Sequence, residues 1–410
     1  MGRVVVTGIG IVSPIGTGRR AFWENALAGR SGVRDVTFAD LEGLPARIGG
    51  RVEGFDPSEH LRGVKWKRLS RFVQFALAAS FLAVEDAGLA PGSLAADRLG
   101  VFMGVSMSGM EMVEDMVSTW RERGPGEVKR YSATGSYPGA AAGNIAIELG
   151  LEGESLTFST GCSSAATALG NAFRSLRAGE HDVILAGGAE ACLTPSYLSV
   201  FGKAGILSKR NDDPAHASRP FDRDRDGYVL GEGGAVLVLE TWSHAQKRGA
   251  RTYAEVAGYG STTDAYSMYA VEPEGRRADR AIAKAFRGTG ADVSEVDYIS
   301  AHGSSSVVSD RRETRVLRRT LGPDADRSCV SSIKSMIGHP LGACGGFQTA
   351  ACALAMSSGA VHPTINYDHP DPECDLDYVP NEARESRPRA ALSLSLGMGG
   401  VNAAIALKAV

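Results

Sequence analysis

The 410-residue sequence lacks several features that would assign it to a class at once. Its six cysteines form no Cys-x-x-Cys pair, which excludes zinc-ribbon and thioredoxin-like sites. It has no apolar run near the ~20 residues that a membrane span needs. Residues 1–6 are typical of a strand, and no long apolar stretch follows them as it would in a signal peptide. We therefore expect a cytoplasmic protein with reduced thiols and no membrane contact.

Strong charge and low-complexity linkers are also missing. The formal net charge is -3 at pH 7, which gives no reason to expect a nucleic-acid partner. Hydrophobic residues make up 43% of the chain, an ordinary share for a globular protein, and the 51 glycines are spread over turns. A chain of this length and composition buries a large core, as two or three ordinary domains or as two that pack into one body.

Strand-like and helix-like segments alternate along the whole chain, which predicts an α/β layered fold. Residues 3–10 (RVVVTGIG) are typical of a buried strand that ends in a glycine turn, and residues 253–260 (YAEVAGYG) repeat this pattern. Small, apolar helix patterns at 165–176 and 342–356 also resemble each other. These pairs predict two similar halves, residues 1–250 and residues 251–410.

Two motifs resemble ligand sites but fail on spacing. Residues 222–227 (DRDRDG) begin like a calcium loop, yet position twelve is Gly233 and Glu232 falls one place early. Arginines among these acids make an ion-paired loop the better interpretation. The glycines Gly8 and Gly10 lack the third glycine of a dinucleotide fingerprint, because Ser13 stands in its place. We therefore expect neither a bound metal nor a nicotinamide cofactor.

Cys162 follows a short β-branched run and a Thr-Gly turn, and it precedes a helix pattern of small residues. A thiol at a strand-to-helix turn lies at the positive end of the helix, which favours the nucleophilic thiolate. The alternative is a small buried hydrophobic residue, as most free cysteines are. Cys162 alone leaves both interpretations open.

Two of the eight histidines lie after a strand pattern and next to a glycine. His302 stands in residues 300–306 (SAHGSSS), and His339 stands in residues 331–342 (SSIKSMIGHPLG). Loop positions next to a rigid strand often carry catalytic side chains. Either histidine alone is equally well explained as a hydrogen-bonded structural residue.

Taken together, these segments resemble the β-ketoacyl-acyl-carrier-protein synthase family. The motifs occur in the family's order: TGCSS at 160–164, AHGSSS at 301–306, KSMIGHPLGACGG at 334–346 and GMGGVN at 397–402. Residues 371–380 (DPECDLDYVP) are similar to the ketosynthase subunits of type II polyketide synthases. The resemblance implies the thiolase fold, five layers of αβαβα from two duplicated halves, with the cysteine in the first half and both histidines in the second.

The resemblance also implies a Cys-His-His site. Cys162 would hold an acyl group as a thioester, and neutral His302 and His339 would donate hydrogen bonds to the thioester oxygen of the second substrate. Lys334 and Glu313 match the family's remaining polar pair. A cation at Lys334 would keep His339 neutral, and Glu313 would balance and orient Lys334.

Further residues match the parts of the family that contact substrate. The backbone N–H groups of Cys162 and Met398 would form the oxyanion hole, and Ser304 and Ser306 would touch the pantetheine arm. Met398 departs from the pattern, because the family usually has a gating phenylalanine there. Methionine is more flexible, so we expect looser gating of the acyl pocket.

An acidic acyl carrier protein would be the main partner, and its phosphopantetheine arm would carry the substrates without any permanently bound cofactor. Two basic segments would receive it. They contain Lys65, Lys67, Arg68, Arg71, Lys129 and Arg130. Members of this family form dimers, so the resemblance predicts either a homodimer or a heterodimer with a chain-length-factor-like homologue.

The sequence thus predicts a ketosynthase that performs decarboxylative Claisen condensation in type II polyketide biosynthesis. A housekeeping fatty-acid elongation synthase is the first alternative. A cysteine-dependent acyltransferase that passes its acyl group to another nucleophile is the second. A non-condensing chain-length subunit is the third, and the cysteine argues against it.

Overall fold

The computed structural model describes residues 2–37, 43–89, 95–290 and 292–410. The strands are β1 (Val4–Ser13), β2 (Gly16–Thr17), β3 (Val33–Asp35), β4 (Ile48–Gly50), β5 (Leu99–Gly104), β6 (Ser155–Phe158), β7 (Val183–Glu190), β8 (Gly233–Thr241), β9 (Ala254–Thr263), β10 (Tyr298–Ser300), β11 (Cys329–Ser331), β12 (Ala360–Val361), β13 (Arg384–Glu385), β14 (Ala390–Leu396) and β15 (Val401–Lys408). The α-helices are α1 (Arg19–Leu27), α2 (Pro57–His60), α3 (Arg71–Ala87), α4 (Met110–Arg123), α5 (Ser132–Gly135), α6 (Ala140–Leu149), α7 (Ser164–Ala178), α8 (Pro195–Lys203), α9 (Trp242–Lys247), α10 (Arg276–Phe286), α11 (Val307–Leu321), α12 (Lys334–Ile337) and α13 (Cys344–Ser358).

The main sheet contains the same strand arrangement twice. Among the described residues its order is β11-β10-β14-β15-β9-β1-β8-β7-β5-β6, with β2 beside β1. In the first half, β1 pairs antiparallel with β8 and β8 with β7, whereas β7, β5 and β6 are parallel. In the second half, β9, β15, β14, β10 and β11 repeat this order and these directions. Residues 4–6 of β1 join the halves by pairing with residues 254–256 of β9.

Helices cover both halves and fill the space between them. Helices α7 and α13 contact each other and both halves of the sheet, and they share one large apolar core with β1, β8 and β9. Helices α3 and α6 close a second core on the outside of the first half, and α10 and α11 close a third on the outside of the second. The predicted αβαβα layering from duplicated halves is confirmed. Within the described ranges, every helix is too short or too polar to cross a bilayer.

Paired glycines explain why each outer helix lies so close to its sheet. A Cβ atom on Gly10 would lie 1.8 Å from the carbonyl oxygen of Ala79 in α3. A Cβ atom on Gly260 would lie 1.9 Å from the carbonyl oxygen of Ala281 in α10. The expected glycine turn at residues 8–10 is therefore wrong: β1 runs on to Ser13, and its glycines leave room for helix packing.

Candidate active site

Cys162 lies in the turn between the terminal strand β6 and helix α7. Gly161 adopts a left-handed φ of 59°, which lets the chain turn from the strand into the helix. The thiol of Cys344 donates to the carbonyl oxygen of Cys162 at 2.9 Å, and the hydroxyl of Ser164 donates to the carbonyl of Gly161 at 2.6 Å. These contacts fix the turn, and the Cys162 side chain is only 8% exposed.

Burial sets the protonation of this thiol. It raises the pKa of Cys162 above its ordinary value, although the backbone N–H groups of Met398 and Cys162 and the charge of Lys334 act in the opposite direction. The carboxyl group of Glu190 adds to the rise. The helix start favours the thiolate, as expected, but desolvation outweighs it and the other favourable groups.

His302 and His339 face each other beside Cys162. Their ring centroids are 5.3 Å apart at an angle of 81°, and the side chains line the same pocket as Cys162. Tyr228 packs edge-on against His339 with a centroid distance of 5.3 Å. Within the described part of the chain, the Nδ1 atoms of both histidines have no hydrogen-bond partner. Both imidazoles therefore keep unused hydrogen-bonding capacity inside a buried site.

The two rings are neutral at physiological pH. Burial lowers the pKa of His302 and of His339 well below the ordinary value, and the cation of Lys334 lowers both further. Arg312 adds to the effect on His302. The cation of Lys334 acts on the pKa of His339 in the expected direction, and it acts on that of His302 as well.

Lys334 and Glu313 lie behind the histidines, where they hold the main chain of His302. The Nζ atom of Lys334 donates to the carbonyl oxygen of His302. The carboxylate of Glu313 accepts the backbone N–H groups of His302 at 2.6 Å and Gly303 at 2.7 Å. The expected direct orientation of Lys334 by Glu313 needs correction, because the two side chains act on His302 instead. Burial also raises the pKa of Glu313 to about 7, so the residue balances the lysine only in part near neutrality.

Gln348 completes this support and was not predicted from the sequence. Its Nε2 group donates to the carbonyl oxygens of Ala301 at 2.7 Å and Leu394 at 2.6 Å, and its Oε1 accepts from Lys334 at 3.5 Å. The side chain is fully buried in α13. A lone amide in an otherwise small and apolar helix pattern is the signal that could have revealed it.

The pocket joins most of the predicted contact residues with several that were not predicted. Met398 is 40% exposed, and it lines the same pocket as Cys162, Ser304 and Ser306. Asp310 accepts the backbone N–H of Ser304 at 3.1 Å and thereby fixes the serine loop. The lining residues that sequence analysis missed include Tyr228, Asp264, Met268, Tyr269 and Arg312.

The polar loop beside the site is held by buried ion pairs, as its composition predicted. Arg219 pairs with Asp222 at 2.9 Å, and Arg225 pairs with Asp371 at 2.9 Å. All four side chains are buried, so the carboxylates are already neutralised by arginine. This pairing confirms the interpretation as an ion-paired loop.

The two predicted basic segments adjoin each other on the surface. Lys65, Lys67 and Arg68 are exposed, and a Cβ atom on Gly135, just after the second segment, would lie 3.9 Å from the carbonyl of Arg68. In the second segment Lys129 pairs with the exposed Asp115 at 3.0 Å, and Arg130 is exposed.

Arg71 differs from the other members of this basic surface. Its guanidinium binds the buried carboxylate of Glu232 at 2.7 Å and the carbonyl of Val52 at 2.8 Å. It therefore stabilises the fold more than it adds free surface charge.

The pocket combines a thiol with two neutral imidazoles, and the fold around it is a duplicated αβαβα arrangement. Together they define a condensing acyltransferase of the thiolase fold. Two family models match the chain: "Beta-ketoacyl synthase, N-terminal domain" over residues 1–245 and "Beta-ketoacyl synthase, C-terminal domain" over residues 253–368. The chain belongs to the β-ketoacyl synthase family, and it is a ketosynthase.

Named relatives cover the whole chain. It is 42% identical over 406 residues to a 3-oxoacyl-[acyl-carrier-protein] synthase 2 of Synechocystis sp., with 99% of this chain and 98% of the relative covered. A solved complex of a type II polyketide synthase acyl-carrier protein with its hexaketide-bound ketosynthase matches with 36% identity, a TM-score of 0.91 and full coverage of both chains. The ishigamide ketosynthase/chain length factor matches with 34% identity, a TM-score of 0.94, and 100% and 99% coverage.

Proposed function

We propose that the protein catalyses decarboxylative Claisen condensation between an acyl group held on Cys162 and a malonyl group on an acyl carrier protein. The observation that carries the proposal is the convergence of the Cys162 thiol, the rings of His302 and His339 and the Met398 loop on one pocket. The reaction uses carrier-bound thioesters and calls for no resident cofactor or metal.

In the first step, the Cys162 sulfur attacks the carbonyl carbon of an acyl thioester on the phosphopantetheine arm. The backbone N–H groups of Cys162 and Met398 act on the sulfur, and they would stabilise the oxyanion that forms next to it. The bond between the acyl carbon and the pantetheine sulfur breaks. The Cys162 proton moves to the leaving thiol, and an acyl-enzyme remains.

In the second step, the malonyl thioester loses carbon dioxide. The electron pair of the broken C–C bond forms an enolate, and N–H groups of His302 and His339 donate to its oxygen. The enolate carbon attacks the acyl carbonyl, and the Cys162 thiolate leaves. Neutral rings suit this role, because an imidazolium would stabilise the malonyl carboxylate and oppose its loss. Ser304 and Ser306 then contact the pantetheine arm along the pocket wall.

We place the enzyme in a type II polyketide system. Two similar structures support this assignment, and each matches this chain over its full length. One is a hexaketide-bound ketosynthase, and the other is a ketosynthase/chain length factor. Fatty-acid elongation is the second candidate, because the 3-oxoacyl-[acyl-carrier-protein] synthase 2 relative is 42% identical. A panel of carrier-bound acyl groups separates the two: repeated extension without reduction favours the polyketide assignment, and a single extension favours elongation.

The acyl carrier protein would dock on the exposed bases Lys65, Lys67, Arg68, Lys129 and Arg130, with a smaller contribution from Arg71. A second subunit, identical or chain-length-factor-like, would pair along the terminal strand β6, where Leu156 is exposed. The two halves of each chain would meet near residue 250, between the end of α9 and the start of β9. Sedimentation of the protein alone and with a candidate partner tests the pairing.

The decisive experiment offers acyl and malonyl carrier proteins and follows Cys162 acylation and carbon dioxide release by mass spectrometry. We expect Cys162→Ala to lose acylation and Cys329→Ala, at a distant cysteine, to retain it. We expect His302→Ala and His339→Ala to accept the acyl group but to lose malonyl decarboxylation. Acylation without condensation in the wild type would refute the ketosynthase assignment, and normal decarboxylation in either histidine variant would refute its role.

A further inference from the structure

Arg312 is a buried cation in the pocket wall that the proposed reaction does not use. It lies in α11 beside Glu313, and it is only 5% exposed. Its guanidinium belongs to the lining of the pocket that contains Cys162. A buried charge costs free energy unless it is paired, so its partners indicate what it does.

The guanidinium connects two segments that are far apart in sequence. Its Nη2 atom donates to the Asp264 carboxylate at 2.8 Å and to the side-chain oxygen of Asn402 at 3.4 Å. The amide of Asn402 donates in turn to the other oxygen of Asp264 at 2.7 Å. These three buried side chains close a ring between α11, the end of β9 and the start of β15.

Asp264 begins one segment that lines the pocket, and Asn402 follows another. Asp264 precedes the residues that include Met268 and Tyr269, and its backbone N–H donates to the carbonyl of Gly400 at 2.8 Å. Asn402 follows the loop that contains Met398. The side chain of Met268 also comes close to Gly399, so the two segments touch over the pocket.

We propose that Arg312 is a positioning residue that clamps residues 264–271 to residues 397–402 and so holds the Met398 N–H group over Cys162. The clamp deepens the proposed function, because it acts on the oxyanion donor of the acyl-transfer step. Anion binding by Arg312 is a different role, and the close pairing with Asp264 disfavours it, since that carboxylate already neutralises the guanidinium.

The first test compares Arg312→Met and Arg312→Lys with the control Arg315→Ala. Arg315 lies on the same helix as Arg312, is exposed, and pairs with Glu373 outside the helix. Rates are normalised to the fraction of enzyme that iodoacetamide alkylates at Cys162, and melting temperatures confirm folding. For Cys162 acylation by an acyl carrier protein, we expect Arg312→Met to lower kcat about tenfold with KM within twofold. Arg312→Lys keeps one donor for Asp264 and should recover part of the loss. Wild-type kcat in Arg312→Met would overturn the clamp, and so would a raised KM at unchanged kcat, which would indicate anion binding.

The second test does not depend on activity. Hydrogen–deuterium exchange of the amides in residues 264–271 and 397–402 should accelerate together in Arg312→Met and remain at the wild-type rate in Arg315→Ala. Unchanged exchange in both segments would overturn the clamp. A wild-type enzyme that fails to load acyl groups would refute the proposed function, and the exchange result would still decide whether the clamp exists.

Discussion

At the scale of single residues, the main tension is between the buried Cys162 thiol and the thiolate that its reaction requires. Burial raises the pKa of Cys162, so at neutral pH the resting enzyme holds a thiol. We expect the rate of Cys162 alkylation by iodoacetamide to keep rising with pH beyond pH 9, since only the thiolate reacts. Peptide mass spectrometry assigns the label, and the Cys162→Ser variant provides the blank. A rate that reaches its plateau near pH 7 would contradict the effect of burial.

Lys334 offers a second test, through the titration of the histidines. Its cation lowers the pKa of His302 and His339, so Lys334→Met should raise both pKa values. NMR of the imidazole carbons across pH 4 to 8 measures the shift. His362 is the internal control, because burial lowers its pKa to about 4 against the hydrogen bond with the carbonyl of Pro363, and Lys334 plays no part. Unchanged titration of His302 and His339 in Lys334→Met would show that the lysine does not control their charge.

Short motifs were sufficient to select Cys162, His302 and His339, which the fold brings to one pocket, because each motif contains the side chain and the turn that presents it. They were not sufficient for Gln348 and Arg312. The role of each depends on partners that lie tens of residues or more away in sequence and meet only in the fold. The protonation state of the Cys162 thiol could not be predicted from the sequence either, because it depends on how deeply the whole pocket buries the sulfur.

At the scale of elements, the helix–strand contacts depend on glycine. Gly10→Ala should lower the free energy of unfolding by about 3 kcal/mol, because a Cβ atom there meets the backbone of α3 rather than a side chain that can move. Urea denaturation measures the change. In the matched control, Gly143→Ala in α6 meets no atom within 4 Å and should raise stability by about 0.5–1 kcal/mol. Equal stability of the two variants would contradict this account of the glycines.

Periodicity predicted the helices α7 and α13 from their patterns of small and apolar residues. It did not separate a glycine turn from a glycine inside a strand at residues 8–10, since both give the same letters. The choice depends on whether a helix lies against the strand, and that contact is tertiary.

At the scale of the whole molecule, three carboxyl groups around the site are fully buried and make its stability depend on pH. Burial raises the pKa of Glu313 and of Glu190 from 4.5 to about 7, and that of Asp310 from 3.8 to about 6. The folded state therefore binds more protons than the unfolded state between these values. The stability that these groups contribute is complete below their unfolded pKa values and is lost as pH rises through the folded ones.

Glu313→Gln isolates one of these groups. From well below pH 4.5 to well above pH 7, the free energy of unfolding of the wild type should fall relative to the variant by about 3 kcal/mol, since the pKa of Glu313 is raised from 4.5 to about 7 and each pKa unit corresponds to 1.36 kcal/mol. Urea denaturation of both proteins at several pH values measures this difference. The informative quantity is the change of this stability difference with pH. Glutamine accepts only one of the two N–H groups that Glu313 binds, and this loss lowers the stability of the variant by the same amount at every pH. Gly143→Ala introduces no titrating group and should keep a fixed offset from the wild type. A fixed offset for Glu313→Gln as well would show that Glu313 titrates alike in the folded and unfolded chains, and that the support behind His302 does not depend on its charge.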